Sequence, residues 1–163
     1  MHAEALRLIA ELCLTPHPEG GYYRETYRSA ESVTTARGAS RSALTSILFL
    51  LAGDEFSAFH SLASDETWHF YRGDPLAIEI IDPAGRHERR VLGPAGPWQT
   101  AIAAGAFFAS HVERSEGYAL VGCDVAPGFE FTDFVLPDRA ALVARFPQHA
   151  ATIARFTRPA PRG

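Results

Sequence analysis

The fold turns on one stretch, Phe59-His60-Ser61-Leu62-Ala63-Ser64-Asp65-Glu66-Thr67-Trp68-His69-Phe70-Tyr71-Arg72-Gly73. It alternates as a strand alternates, breaks at Ser64–Asp65, and alternates again. On the first arm His60 and Leu62 share a face. On the second, Glu66, Trp68 and Phe70 share one face, with His69 and Tyr71 on the other. Read as a hairpin lining a barrel, the stretch brings His60 and Glu66 together from adjacent strands. An imidazole beside a carboxyl in an apolar hollow is the chemistry of a tuned general base or of a metal site.

The flanks repeat the strand pattern. Tyr22–Ser29, Ala43–Leu51, Phe56–Leu62, Thr67–Arg72, Leu76–Asp82, Arg86–Leu92, Gln99–Ala103, Ala106–Val112, Tyr118–Val125 and Phe131–Leu136 are alternating or apolar runs. Turn residues separate them at Gly53–Asp54, Gly73–Asp74–Pro75, Asp82–Pro83–Ala84–Gly85, Gly93–Pro97 and Pro127–Gly128. With no helical pattern between them, the expected architecture is all-β, an antiparallel sandwich or barrel in a single domain over residues 1–163. Helices are expected only at the ends. Ala5, Leu6, Leu8, Ile9, Leu12 and Cys13 form one face of a helix over Ala3–Cys13, stopped before Pro16. Asp138 caps a helix ending at Pro147, which itself fits the first turn of another running to Phe156. The tail Arg158–Gly163 is expected to fray.

Composition removes whole classes of function. All 15 basic residues are Arg, so Schiff-base lysine chemistry and the P-loop lysine are absent. There is no Asn, which excludes a Cys-His-Asn site. A net charge of −4 leaves no basic footprint, so neither nucleic acid nor a membrane is expected as a partner. The N-terminus has no basic start before an apolar run, and the expectation is a cytoplasmic protein. Cys13 and Cys123 read as two isolated thiols, Cys123 as strand filler. No GxSxG, GxGxxG or HExxH motif is present.

The central stretch resembles the first motif of the cupin superfamily, matched by Gly53, His60, Glu66 and Gly73. The chain as a whole resembles a small cupin-like family of largely unassigned function. The resemblance rests on Pro16-His17-Pro18-Glu19-Gly20-Gly21-Tyr22-Tyr23-Arg24-Glu25-Thr26-Tyr27-Arg28-Ser29, on the block from Asp65 to Leu76, and on Val121-Gly122-Cys123 through Phe134. It implies a double-stranded β-helix jelly roll with a core over about residues 14–146, a homodimer, and a shape similar to sugar epimerases, isomerases and germin-like proteins. It also marks a departure. Leu62 and Phe108 stand where histidines occupy two of the four usual metal-binding positions, leaving His60 and Glu66. No cofactor is therefore expected. A divalent metal would need His111 or Asp133 to join those two, since even open zinc sites keep three protein ligands.

The expected site is a barrel cavity holding a small molecule, with His60, Glu66 and Tyr23 as catalytic candidates. Arg24, Phe59, Trp68, Phe70, Gln99, Phe108 and Asp133 are ligand-binding candidates, with Phe107 in the same aromatic wall. On Tyr22–Ser29, Tyr23, Glu25 and Tyr27 share one face and Tyr22, Arg24, Thr26 and Arg28 the other; either could enter the cavity. Arg24 suits a carboxylate or phosphate. His17 is expected to pin the Pro-rich loop, and His69 to support structure. Three functions remain open. One is a metal-independent isomerase or epimerase, with His60 oriented by Glu66 or Asp65 as base and Tyr23 as donor. The others are a non-catalytic binding protein for a carbohydrate or apolar metabolite, and a metal-dependent cupin oxygenase.

Overall fold

A computed structural model describes residues 2–158; the remainder of the tail expected to fray lies outside them. The chain runs α1 (Ala3–Glu11), β1 (Thr15–Pro16), β2 (Tyr22–Arg28), β3 (Ser32–Thr34), β4 (Ser40–Ser42), β5 (Thr45–Ala52), β6 (Phe56–Leu62) and β7 (Asp65–Gly73). It continues β8 (Leu76–Ile81), β9 (His87–Leu92), β10 (Gln99–Ile102), β11 (Phe107–Val112), β12 (Tyr118–Ala126), β13 (Phe134–Val135), α2 (Arg139–Arg145) and α3 (Ala150–Arg155). A six-stranded sheet, β1-β2-β5-β12-β7-β10, faces a five-stranded sheet, β13-β6-β11-β8-β9, and β3-β4 form a separate hairpin. This is the expected jelly roll with flanking helices.

Three apolar layers hold it together. Between the sheets lie Phe49, Leu51, Trp68, Ile78, Phe108 and Val121. Outside the five-stranded sheet, Phe59, Ile81 and Phe107 pack under Leu142, Phe146 and Phe156 of the C-terminal helical segment. Outside the six-stranded sheet, Ala5 and Leu8 of α1 cover Leu50, Ala52 and Leu120. The run from Ala43 reads as almost continuously apolar because β5 is covered on both faces. Helix α1 ends two residues before the expected Cys13. Cys13 adopts φ 52 there, its N–H bonding to Ala10 and that of Leu14 to Ile9. This is a Schellman ending, with a cysteine in the left-handed place that glycine usually takes. Asp138 caps α2 as expected, accepting from Ala140 and Ala141, and Pro147 begins a 3-10 turn leading into α3.

Two expectations are corrected. The expected hairpin at Ser64–Asp65 is a crossover. β6 pairs with β11 and β13, while β7 pairs with β12 and β10, so His60 and Glu66 sit on facing sheets and not on neighbouring strands. The expected strand Phe131–Leu136 is a 3-10 turn at Phe131–Asp133 followed by the two-residue β13.

Two bulges set which side chains face inward. In β2, Glu25 lies opposite Ile47 but Tyr27 lies opposite Ser46, so Thr26 is an extra residue and Arg28 returns to the inner face with Tyr23 and Glu25. In β6, Ala58 and Phe59 together oppose Ala109, which puts Ser57 and His60 on one face despite their spacing.

Candidate functional site

A cavity of about 250 Å³ opens between the sheets. Its chemistry begins in the Pro16–Gly21 loop. The N–H of His17 donates to the Gly21 carbonyl at 2.9 Å, and that of Gly20 to the His17 carbonyl at 3.0 Å. Gly20 (φ 112) and Gly21 (φ 72) allow a reversal that a side chain would strain, and it turns Glu19 inward. The Glu19 backbone carbonyl is tied to β6 by the Ala58 N–H at 2.8 Å and by the Arg158 guanidinium.

The buried Glu19 carboxyl meets three groups. Ser57 Oγ donates to Oε1 at 2.9 Å, His60 Nε2 lies 3.2 Å from Oε2, and His17 Nδ1 lies 3.5 Å from Oε2. His60 Nδ1 sits 2.8 Å from the Ala58 carbonyl, which can only accept, so Nδ1 carries the ring hydrogen. Neutral His60 therefore presents the lone pair of Nε2 to Glu19. Burial pushes Glu19 up to about 7, although His17 and the Ser57 hydrogen bond pull the other way. Burial pushes His60 down to about 4. Both shifts place the shared proton on Glu19, in a neutral hydrogen-bonded pair.

Glu66 approaches from the opposite sheet and lines the same cavity. Trp68 Nε1–H donates to its Oε2 at 2.8 Å. Burial, and then the charge of Glu19, push Glu66 up to about 8. The cavity thus contains two carboxyls that hold protons unusually well. Burial also raises the Cys123 thiol well above its ordinary range, so it lines the cavity in its neutral form.

Of the remaining candidates, Tyr23 and Trp68 line the cavity, Tyr23 with its ring 4.5 Å from that of His17, whereas Arg24 borders its mouth from the face of β2 opposite Leu48, turned toward the outer layer. Phe108 lies beneath it, its ring 4.1 Å from His60. Phe59 and Phe107 face the C-terminal helices, because the β6 bulge and the β11 alternation point them outward. Phe70 is buried away from the cavity against Trp98, and Gln99 is exposed on β10 opposite His69. Asp133 is held by Arg41 through contacts of 2.7 and 2.9 Å, a rim clasp that keeps it off the ligand space. Asp65 anchors the turn at Ala104 by a 2.8 Å bond and does not orient His60. His69 lies on the outer face beside Asp124, at 3.2 Å. The walls come instead from Phe49, Phe129, Phe131 and Phe134. Sequence reasoning missed Glu19 and gave His17 only a loop role. The available signal was a charged pair inside a Pro-Gly turn. It also missed the mouth cluster, in which Arg28 grips Glu25 at 2.8 and 2.9 Å and Glu130 at 2.8 Å.

The donor set does not suit a tightly held divalent metal. Both His60 nitrogens are engaged and Leu62 and Phe108 bring no donor atoms. His111 lies on the outer face, stacked on Phe156 at 4.8 Å. Among the described residues, no group of three or more His, Cys, Asp and Glu is arranged to hold a metal ion.

These shifts fix a pH dependence. Unfolded glutamates ionise near 4.5, whereas folded Glu19 and Glu66 hold their protons to about 7 and about 8, so both lose stability for the fold as pH rises across those intervals. His60, displaced from 6.5 to about 4, works in the opposite sense, with stability rising with pH inside its own interval, and His17 is displaced in the same direction. Above the ordinary histidine value only the carboxyls act. Denaturant titrations should lose about 1–2 kcal/mol of unfolding free energy between pH ~6.5 and ~8. Glu66→Gln, which keeps an acceptor for Trp68, should flatten most of that slope.

The comparisons with known proteins agree with this architecture. Residues 6–137 match the family model described as Cupin superfamily (DUF985). A hypothetical protein from Leishmania major is 37% identical with a TM-score of 0.88, covering 96% of this chain and 99% of its own. A protein from Shewanella oneidensis is 38% identical with a TM-score of 0.87, covering 98% and 99%. A cupin 2 domain-containing protein from Halorhodospira halophila shares the fold at 17% identity, with a TM-score of 0.59 and coverage of 91% and 89%. No curated protein matches. Among the described residues, no helix is long and apolar enough to cross a membrane.

Proposed function

Because the chain belongs to the cupin superfamily family DUF985, whose fold serves many chemistries, we propose its function from the cavity alone: a metal-independent isomerase or epimerase that moves a proton at carbon beside the carbonyl of a small keto compound. The observation that carries this reading is the pair of buried carboxyls in one cavity, held at about 7 and about 8. A group titrating near neutrality is both a competent base and a competent acid.

In the proposed reaction, the ionised fraction of Glu19 takes the carbon-bound proton; Ser57 Oγ–H holds the carboxylate by donating to it, and His60 Nε2 accepts from the carboxyl once it is protonated. Glu66, still protonated, donates to the carbonyl oxygen as the enediol forms, or returns a proton to carbon from the opposite face. Proton exchange with water then restores both groups. This replaces His60 as the base, since its lone pair is directed at Glu19, and Tyr23 as the principal acid, since Glu66 gives up its proton far more readily than a phenol. A non-catalytic binding protein is the second reading, favoured by the apolar floor that Leu62 and Phe108 make beneath the cavity. Incubation with keto sugars in deuterium oxide separates the two. Deuterium entering the carbon beside the carbonyl, followed by NMR, supports the enzyme; saturable binding without exchange supports the binding protein.

A further inference from the structure

We propose that the molecule taken into this cavity is an uncharged hydroxy-carbonyl compound of monosaccharide size, and that Glu25 and Glu130 turn anions away at the mouth. The proposal rests on the cavity being a ligand site, as read above. Three residues on its walls keep a polar atom that no other described residue satisfies. Glu66, buried and inward-facing, spends Oε2 on the Trp68 indole and leaves Oε1 open. Tyr23, packed against His17, makes no hydrogen bond through its hydroxyl among the described residues. The Glu19 N–H, which can only donate, lies 3.3 Å from His17 Nδ1. Neutral His17 therefore carries its hydrogen on Nε2, and that N–H has no partner among the described residues. Burial favours the neutral ring, as it favours the protonated carboxyl of Glu66. All three are uncharged groups that exchange hydrogen bonds with hydroxyl and carbonyl oxygens. A ligand rich in such oxygens satisfies them, whereas an apolar one strands them. The volume of about 250 Å³ lies below the roughly 300–1,000 Å³ of drug-sized sites, which suits one ring or a short chain.

The charges at the mouth decide against an ion. Two arginines border the cavity. Arg24 is turned to the outer layer, opposite Leu48, and offers the ligand nothing. Arg28 faces inward but is spent. Its Nε and Nη2 grip Glu25 at 2.9 and 2.8 Å, Nη1 holds Glu130 at 2.8 Å, and Nη2 also donates to the Phe129 carbonyl at 3.2 Å. Glu25, opposite inward Ile47, and Glu130 thus share one guanidinium, which leaves an excess of negative charge at the entrance. A carboxylate or phosphate is repelled there. Inside, it meets no unspent cation among the described residues of the wall and loses its water without compensation. An ammonium group fares no better, because it would pair with Glu66 only after displacing the proton held there.

The test is calorimetric titration of the full chain with dihydroxyacetone, xylulose and fructose, each beside its terminal phosphate, with 1-amino-1-deoxyfructose as the cationic arm. At least one free sugar should bind, with its phosphate weaker by about tenfold or more. Glu25→Gln combined with Glu130→Gln removes the repulsion and frees Arg28. It should narrow that gap by about threefold or more, with a melting temperature that shows the variant folded. Tyr23→Phe should weaken the free sugar by about three- to tenfold. Failure of every free sugar to bind, a phosphate or amine that binds as tightly as its free sugar, a gap that survives the double substitution, or full affinity in Tyr23→Phe overturns the proposal. Preference for the free sugar without deuterium exchange in the same compounds sinks the proton-transfer reading and leaves the selection standing. Exchange that runs as readily on the phosphates as on the free sugars does the reverse.

Discussion

Glu19→Gln should lower proton exchange at the substrate carbon by about 10²–10⁴-fold while barely moving the melting temperature. The substitution is nearly isosteric and keeps both ends of the network. The amide oxygen accepts from Ser57 Oγ, and the amide nitrogen donates to the Nε2 lone pair of His60, as protonated Glu19 does. Only the ability to take up a proton is lost. Glu19→Ala is the informative contrast, because it strands the hydroxyl of Ser57 and the ring nitrogen of His60, 0% and 2% exposed. It should cost about 2–3 kcal/mol in addition to activity. Exchange followed by NMR beside thermal melts of both variants makes the comparison. Full exchange in Glu19→Gln would remove Glu19 from the chemistry and return the base to another group.

Gly20→Ala should be the most damaging single methyl group in the loop that carries the site. A Cβ there would lie 2.3 Å from the Phe56 carbonyl oxygen and 2.3 Å from the Arg158 guanidinium, at φ +112. Arg158 can swing away, but the Phe56 carbonyl belongs to β6 and cannot. The loop must lift, which stretches the 2.8 Å bond from Ala58 to the Glu19 carbonyl and draws the carboxyl from Ser57 and His60. Backbone strain and overpacking together suggest a loss of roughly 3 kcal/mol, with exchange activity falling in parallel. Gly38→Ala is the control: its φ is +81 with nothing within 4 Å, so it carries strain alone, about 1 kcal/mol. Equal denaturation midpoints for the two variants would show that Gly20 is not what holds the loop to the strand.

The β segments were legible because alternation is a local property: β6, β8, β9 and β11 fall within a residue of their expected limits. Strand partnership is not local. Nothing in Leu62-Ala63-Ser64-Asp65 distinguishes a hairpin from a crossover, so His60 and Glu66 were correctly read as inward-facing and wrongly placed on neighbouring strands. Phe59 and Phe107 misled for a related reason. The C-terminal helices give the five-stranded sheet a second apolar face, and an aromatic next to an inward histidine belongs to that outer layer. Glu19 was invisible because a Pro-Gly turn has no periodicity from which to infer direction. The short β3–β4 hairpin has too little apolar alternation to signal itself, with Val33 its lone large apolar residue.

The extra residue at Thr26 makes β2 two strands in succession, each with its own phase. Removing Thr26 would leave Tyr27 opposite Ser46 and Arg28 opposite Thr45, each on its present face. Were Thr26 instead to take the place opposite Ser46, every side chain after it would exchange inside for outside: Tyr27 would swing over the opening and Arg28 would leave it, abandoning Glu130. The electrical character of the doorway is therefore governed by the phase of one exposed stretch, and by no position in the chamber behind it.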